Sequence, residues 1–125
     1  MNILNAGKNF FVKGFDWDTR ISRSEFWYGF LVSQILIYLA YYPAVLILIV
    51  MFDANEFFTY LWFLIPVLPV SSLVARRLHD INRTGWWFLI NTIPIVGGVI
   101  LIFWCCKKGD TGKNLYGQDP LSANP

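Results

Sequence analysis

Residues 26–52 read FWYGFLVSQILIYLAYYPAVLILIVMF, 27 positions without a charged side chain. At about 1.5 Å per residue, a helix of that length exceeds the roughly 30 Å of a bilayer's hydrocarbon core. The whole chain agrees: 125 residues are 56% hydrophobic and only 14% charged, where soluble domains carry about 25% charged residues. A water-soluble domain this short has too little surface to hide so much apolar content. All ten Lys and Arg residues lie between or outside the apolar runs, as expected where a charge at the bilayer centre costs at least about 2.5 kcal/mol. The chain is therefore read as an all-α membrane protein forming one membrane domain over 1–125.

Upstream of this run, Ser22 and Glu25 have capping-box spacing, each side chain placed to satisfy a backbone N–H of the other residue. The first span is predicted over 22–52, with Trp27 as an interfacial anchor and Pro43 as a candidate kink. Residues 1–21 form an amphipathic arm: Ile3, Leu4, Phe10, Phe11 and Phe15 recur near a helical period, with Asn and Lys opposite, which suits a helix lying in the headgroup plane. No basic start, continuous apolar core or small-residue cleavage site marks a signal peptide in the first 25 residues, so the first span is expected to direct insertion.

Downstream, the acidic turn Asp53–Glu56 precedes a second span over 57–75, in which Pro66 and Pro69 free backbone carbonyls. Residues 76–85 read as a polar loop, 86–106 as a third apolar segment and 107–125 as a polar tail rich in turn residues. Cys105 and Cys106 are adjacent, a poor arrangement for a disulfide and too few sulfurs for structural zinc. They read as small apolar residues at a boundary.

The third segment has two readings. As a full span it leaves seven basic residues (Lys8, Lys13, Arg20, Arg23, Arg76, Arg77, Arg83) with the N-terminal arm and three (Lys107, Lys108, Lys113) opposite, so the N-terminus is cytoplasmic by the positive-inside rule. If Pro94-Ile95-Val96-Gly97-Gly98 turns inside the membrane, the segment is a re-entrant hairpin and all ten basic residues share one side. Irregular backbone at that depth needs cover from protein, and two spans offer little. The full span is adopted, with the hairpin as the alternative.

Three stretches carry a resemblance. Arg20-Ile-Ser-Arg23-Ser-Glu25-Phe26-Trp27 comes first, Arg76-Arg77-Leu78-His79-Asp80 with Asn82-Arg83-Thr84-Gly85-Trp86-Trp87 second, and Lys108-Gly-Asp110-Thr-Gly112-Lys-Asn114-Leu-Tyr116-Gly-Gln-Asp119-Pro120 third. In order and spacing they resemble the bacterial inner-membrane family known as domain of unknown function 805, over residues 15–120 or so. Thr19 departs from the family's usual glycine before the first arginine. The resemblance implies a small bacterial inner-membrane protein and no particular activity.

Function is expected where charges gather. Arg20, Arg23, Glu25, Arg76, Arg77, His79, Asp80 and Arg83 all fall at the cytoplasmic junctions, followed by Trp86 and Trp87 as interfacial anchors. One reading is structural: Ser22, Glu25, His79 and Asp80 serve as caps and ion-pair partners in a collar that fixes helix ends. The second is recognition of an anionic phospholipid headgroup or an acidic partner by Arg20, Arg23, Arg76, Arg77 and Arg83, whose planar forks suit phosphate and carboxylate. Catalysis by His79, oriented by Asp80 or Glu25, has neither a nucleophile nor a phosphate loop beside it. A single His with hard carboxylates is an incomplete metal shell, and no span carries the ionisable residue typical of a carrier. Gln34 and Asn91 read as interhelical hydrogen-bonding groups. The expectation is a binding protein, not an enzyme, without metal or cofactor. Its partners would be membrane lipid, a membrane protein or further copies of itself, and no nucleic acid. An oligomeric channel or transporter component is the alternative.

Overall fold

The computed structural model describes residues 4–5, 8, 12–52, 57, 60 and 64–122. The acidic turn, eight residues of the amphipathic arm including Ile3, Phe10 and Phe11, and most of the first half of the second span fall outside these residues.

Helix α1, Arg23–Phe52, runs for 30 residues and is long and apolar enough to cross a membrane. Ser22 starts it as predicted: its backbone is extended and its hydroxyl accepts from the Glu25 N–H at 3.3 Å. Between Ile37 and Tyr41 the helix widens into a π turn, and the Tyr42 N–H reaches the Ile37 carbonyl five residues back. Pro43 gives the reason, since it lacks an N–H and its ring crowds the carbonyl of Leu39. Phe26, Gly29 and Ser33, spaced to share one face, are buried. A Cβ on Gly29 would stand 3.2 Å from Leu73 Cδ1, so this glycine sets the close approach of the next helix. Beyond Ser33, with Val45 the one further buried residue of α1, the helix presents exposed apolar side chains such as Leu39, Leu46 and Val50, a surface suited to lipid.

Helix α2, Val67–Asp80, is the centre of the molecule, and every residue from Ser71 to Asp80 is buried. Pro66 stands at its N-cap and Pro69 in its first turn. First-turn N–H groups have no partner inside a helix, so neither proline disrupts α2; of the carbonyls four residues earlier, that of Trp62 lies outside the described residues. The predicted loop at 76–85 is shorter than expected, because α2 continues through Asp80. It stops on a Schellman arrangement: Asn82 takes φ +57°, its N–H bonds His79 O at 3.0 Å, and the Arg83 N–H bonds Leu78 O at 2.9 Å.

Thr84 then caps a 3₁₀ segment, Gly85–Thr92, by accepting from the Trp86 N–H at 3.2 Å. Gly85 lies so close to α2 that a Cβ would meet Ala75 Cβ at 2.8 Å. After Pro94 the chain reverses, with Ile95 at φ +65°, into helix α3, Val96–Cys106. Gly97 permits the reversal: a Cβ there would sit 1.8 Å from the Ile90 carbonyl oxygen. The third apolar segment is thus a hairpin, and the full span adopted from the sequence is corrected. Its two limbs pack on each other and on α2, and Leu101 and Cys105 of α3 join Ile21, Phe26, Leu73, Val74 and Leu78 in the core.

Candidate functional site

The hairpin returns the tail to the level of Arg20 and of the C-terminal end of α2, where the charged residues meet. Asp80, 4% exposed, is the hub. Its Oδ1 accepts from Arg20 Nε at 3.2 Å and Nη2 at 3.0 Å, and its Oδ2 pairs with Arg77 Nη1. Arg20 directs its remaining donors into the tail: Nη1 to the carbonyls of Gly112 at 2.8 Å and Gly117 at 3.0 Å, Nη2 to that of Asp110 at 2.7 Å. All five of its N–H groups are thereby engaged. Arg77, fully buried, ties three segments together through the carbonyls of Cys105 at 3.0 Å, Ile21 at 3.4 Å and Lys107.

The backbone reinforces this knot. The Asp110 N–H donates to Asp80 O at 2.8 Å, and Asn114 Nδ2 donates to His79 O at 2.8 Å. Gly109 passes over Asp80 so closely that a Cβ would fall 2.0 Å from Oδ2. Such an arrangement suits arginine alone, since lysine offers no fork to bridge a carboxylate and several carbonyls at once.

His79 is buried and its ring stacks on Tyr116, centroids 3.9 Å apart and planes 3° from parallel. Its Nδ1 lies 3.3 Å from the Thr19 carbonyl, and a carbonyl only accepts, so Nδ1 carries the proton. Burial holds the imidazole below its ordinary value of 6.5, against the pull of that hydrogen bond and of Asp18 and Asp16. The ring is therefore neutral at pH 7, leaving a lone pair on Nε2.

The five arginines expected to form one binding patch separate into different environments. Arg20 and Arg77 are engaged inside the protein with Asp80 and the tail, so they do not face an external anion. Arg76 is 2% exposed and its Nε meets no hydrogen-bond partner among the described residues, while Asp16 and Glu25 act on it electrostatically. Arg23 is exposed at the start of α1. Arg83 stands over the hairpin's aromatic rings, 4.3 Å from the Trp104 centroid and 5.9 Å from that of Trp87, with Lys107 Nζ 5.5 Å from Phe103. Of the expected anchors, Trp27 packs against the core, Trp87 meets Trp104 edge-on at 5.4 Å, and Trp86 is 79% exposed.

Sequence reasoning looked for carboxylate partners and missed the tail carbonyls of Asp110, Gly112 and Gly117. The only signal for them was the run of turn residues after Lys107. It also missed a half-open cavity of about 700 Å³ beside His79, between the Trp17–Asp18 turn, α2 and the 3₁₀ segment.

Residues 14–118 match the family described as Protein of unknown function (DUF805). The chain belongs to this family. The matched stretch begins before Arg20 and ends one residue beyond Gly117, so the family unit contains the entire knot around Asp80. The chain is similar to Inner membrane protein YhaI of Escherichia coli (strain K12), 34% identical over 103 residues that cover 81% of this chain and 82% of that protein. It is also similar to Inner membrane protein YhaH of the same strain, 31% identical over 101 residues, 81% of this chain and 84% of that protein. No solved structure matches the chain. An all-helical inner-membrane protein of this family is what the sequence led us to expect.

Proposed function

We propose that this protein is a multi-pass binding protein of the inner membrane, its N-terminus and tail both cytoplasmic, that holds anionic lipid headgroups at the rim of its hairpin and performs no chemistry. The observation that carries this reading is the pair of cations seated on aromatic rings at the hairpin mouth, Arg83 on Trp104 and Lys107 on Phe103. Cations on long stems above exposed apolar surface reach up to headgroup level while their stems cover the rings. Arg23 and Lys108 are exposed as well and extend the basic character of that surface. The hairpin supports the orientation, because returning the tail puts all ten basic residues on the side of the N-terminal arm.

The test compares Arg83→Ala, Arg83→Lys and Lys107→Ala with the parent protein for anionic phospholipid retained through purification in mild detergent. Loss in the alanine variants, with partial retention in Arg83→Lys, is expected. Equal retention in all four proteins would overturn the headgroup assignment.

A further inference from the structure

The cavity beside His79 has a chemistry opposite to that of the basic rim. Among the described residues that line it there is no Lys or Arg. Its one charged side chain is the exposed carboxylate of Asp18, and the Thr84 hydroxyl and His79 ring stand with it in the lining. With Nδ1 directed to Thr19 O at 3.3 Å, Nε2 is the ring nitrogen that faces Gly85 and the cavity. Gly85 keeps its approach open, since a Cβ there would stand 3.4 Å from Nε2. Aromatic faces surround these groups, with Trp17 40% and Trp86 79% exposed and Tyr116 stacked against the imidazole. Deeper along the hairpin limb the lining turns apolar through Phe88 and Leu89.

A carboxylate, a neutral imidazole acceptor and indole faces together suit a cation that also donates hydrogen bonds, which is a primary ammonium group. The apolar continuation suits an attached hydrocarbon chain, and in an inner-membrane protein the hairpin limb leads toward the bilayer. We propose that this cavity binds a phospholipid with a primary-ammonium headgroup, of the ethanolamine type, with the ammonium between Asp18 and His79 Nε2 and an acyl chain along Phe88 and Leu89. The site is separate from the basic rim and goes beyond the function proposed above. The trimethylammonium of a choline lipid keeps the charge but has no N–H to donate, and a glycerol headgroup has no cation.

The experiment titrates the full chain, in mild detergent, with ethanolamine, choline and glycerol phospholipids of identical acyl chains, read by native mass spectrometry. Glycerophosphoethanolamine, which has the headgroup without chains, is a fourth ligand. In Arg83→Ala/Lys107→Ala protein, where the basic rim no longer takes the anionic glycerol lipid, the ethanolamine lipid is expected to bind roughly tenfold more tightly than the other two lipids, and adding Asp18→Asn to remove that preference, the size of effect associated with one charge-assisted hydrogen bond. Asp18 is exposed, so the substitution leaves the fold intact, which a melting curve checks. Equal binding of the three lipids, or an unchanged preference in Asp18→Asn, would overturn the site. If glycerophosphoethanolamine binds as tightly as the lipid, the cavity takes a free amine and the lipid assignment is wrong.

Discussion

Asp80 is the residue on which the polar end of the molecule depends. Two buried guanidinium groups converge on one carboxylate, and removing a single partner of a buried pair leaves a charge without compensation. Asp80→Asn is therefore expected to destabilise the protein by about 3–5 kcal/mol, seen as a large drop in melting temperature in detergent. Release of the tail should accompany it, measured as faster proteolysis after Lys107. A drop no larger than that of an exposed control such as Asp18→Asn would show that the knot is not what holds the tail. His79 gives the residue scale its pH dependence. Its folded pKa lies below the ordinary 6.5, so the unfolded chain takes up this proton first as pH falls. The stabilisation is fully present above about pH 6.5 and is lost below it. The groups facing the ring are Asp16, Asp18, the Thr19 carbonyl and Tyr116. Melting temperature should fall as pH drops below about 6.5, and His79→Gln should flatten the profile there.

Among the elements, α1 rests on its cap and α3 on a glycine. The Ser22 hydroxyl serves one N–H that nothing else in the first turn can serve, and Ser22→Ala should cost on the order of 1 kcal/mol. Faster amide exchange at Glu25 is the local readout, and unchanged protection there would remove the cap from this account. The hairpin depends on the contact of Gly97 with the Ile90 carbonyl, where any side chain meets backbone rather than a flexible neighbour. Gly97→Val should separate the two limbs and, through Cys105 and Lys107, withdraw the carbonyls that Arg77 bonds. A melting temperature within a degree or two of the parent protein would show that the limbs tolerate separation.

For the whole molecule, the consequence of the hairpin is the side on which the tail lies. With Cys106 replaced by serine and the exposed Leu121 replaced by cysteine, a membrane-impermeant thiol reagent should label the tail only after cells are permeabilised. Labelling of intact cells would restore the full third span and separate the tail from the arginines in the membrane-bound protein. Sequence alone determined the membrane class, because 27 uncharged residues and the exclusion of charge from every apolar run follow from solvation, whatever the tertiary arrangement. It also determined the cap at Ser22, which depends on neighbours three residues away, and it marked Pro94 and Gly97 as places where a helix falters. Tertiary structure decided between span and hairpin, because a proline and a glycine allow a reversal and only the packing of Gly97 on Ile90 closes it. It likewise decided what the arginines do. Arg20 finds carbonyl partners 92 and 97 residues further along the chain, and every residue has a carbonyl, so no residue type announces which ones a buried guanidinium will meet.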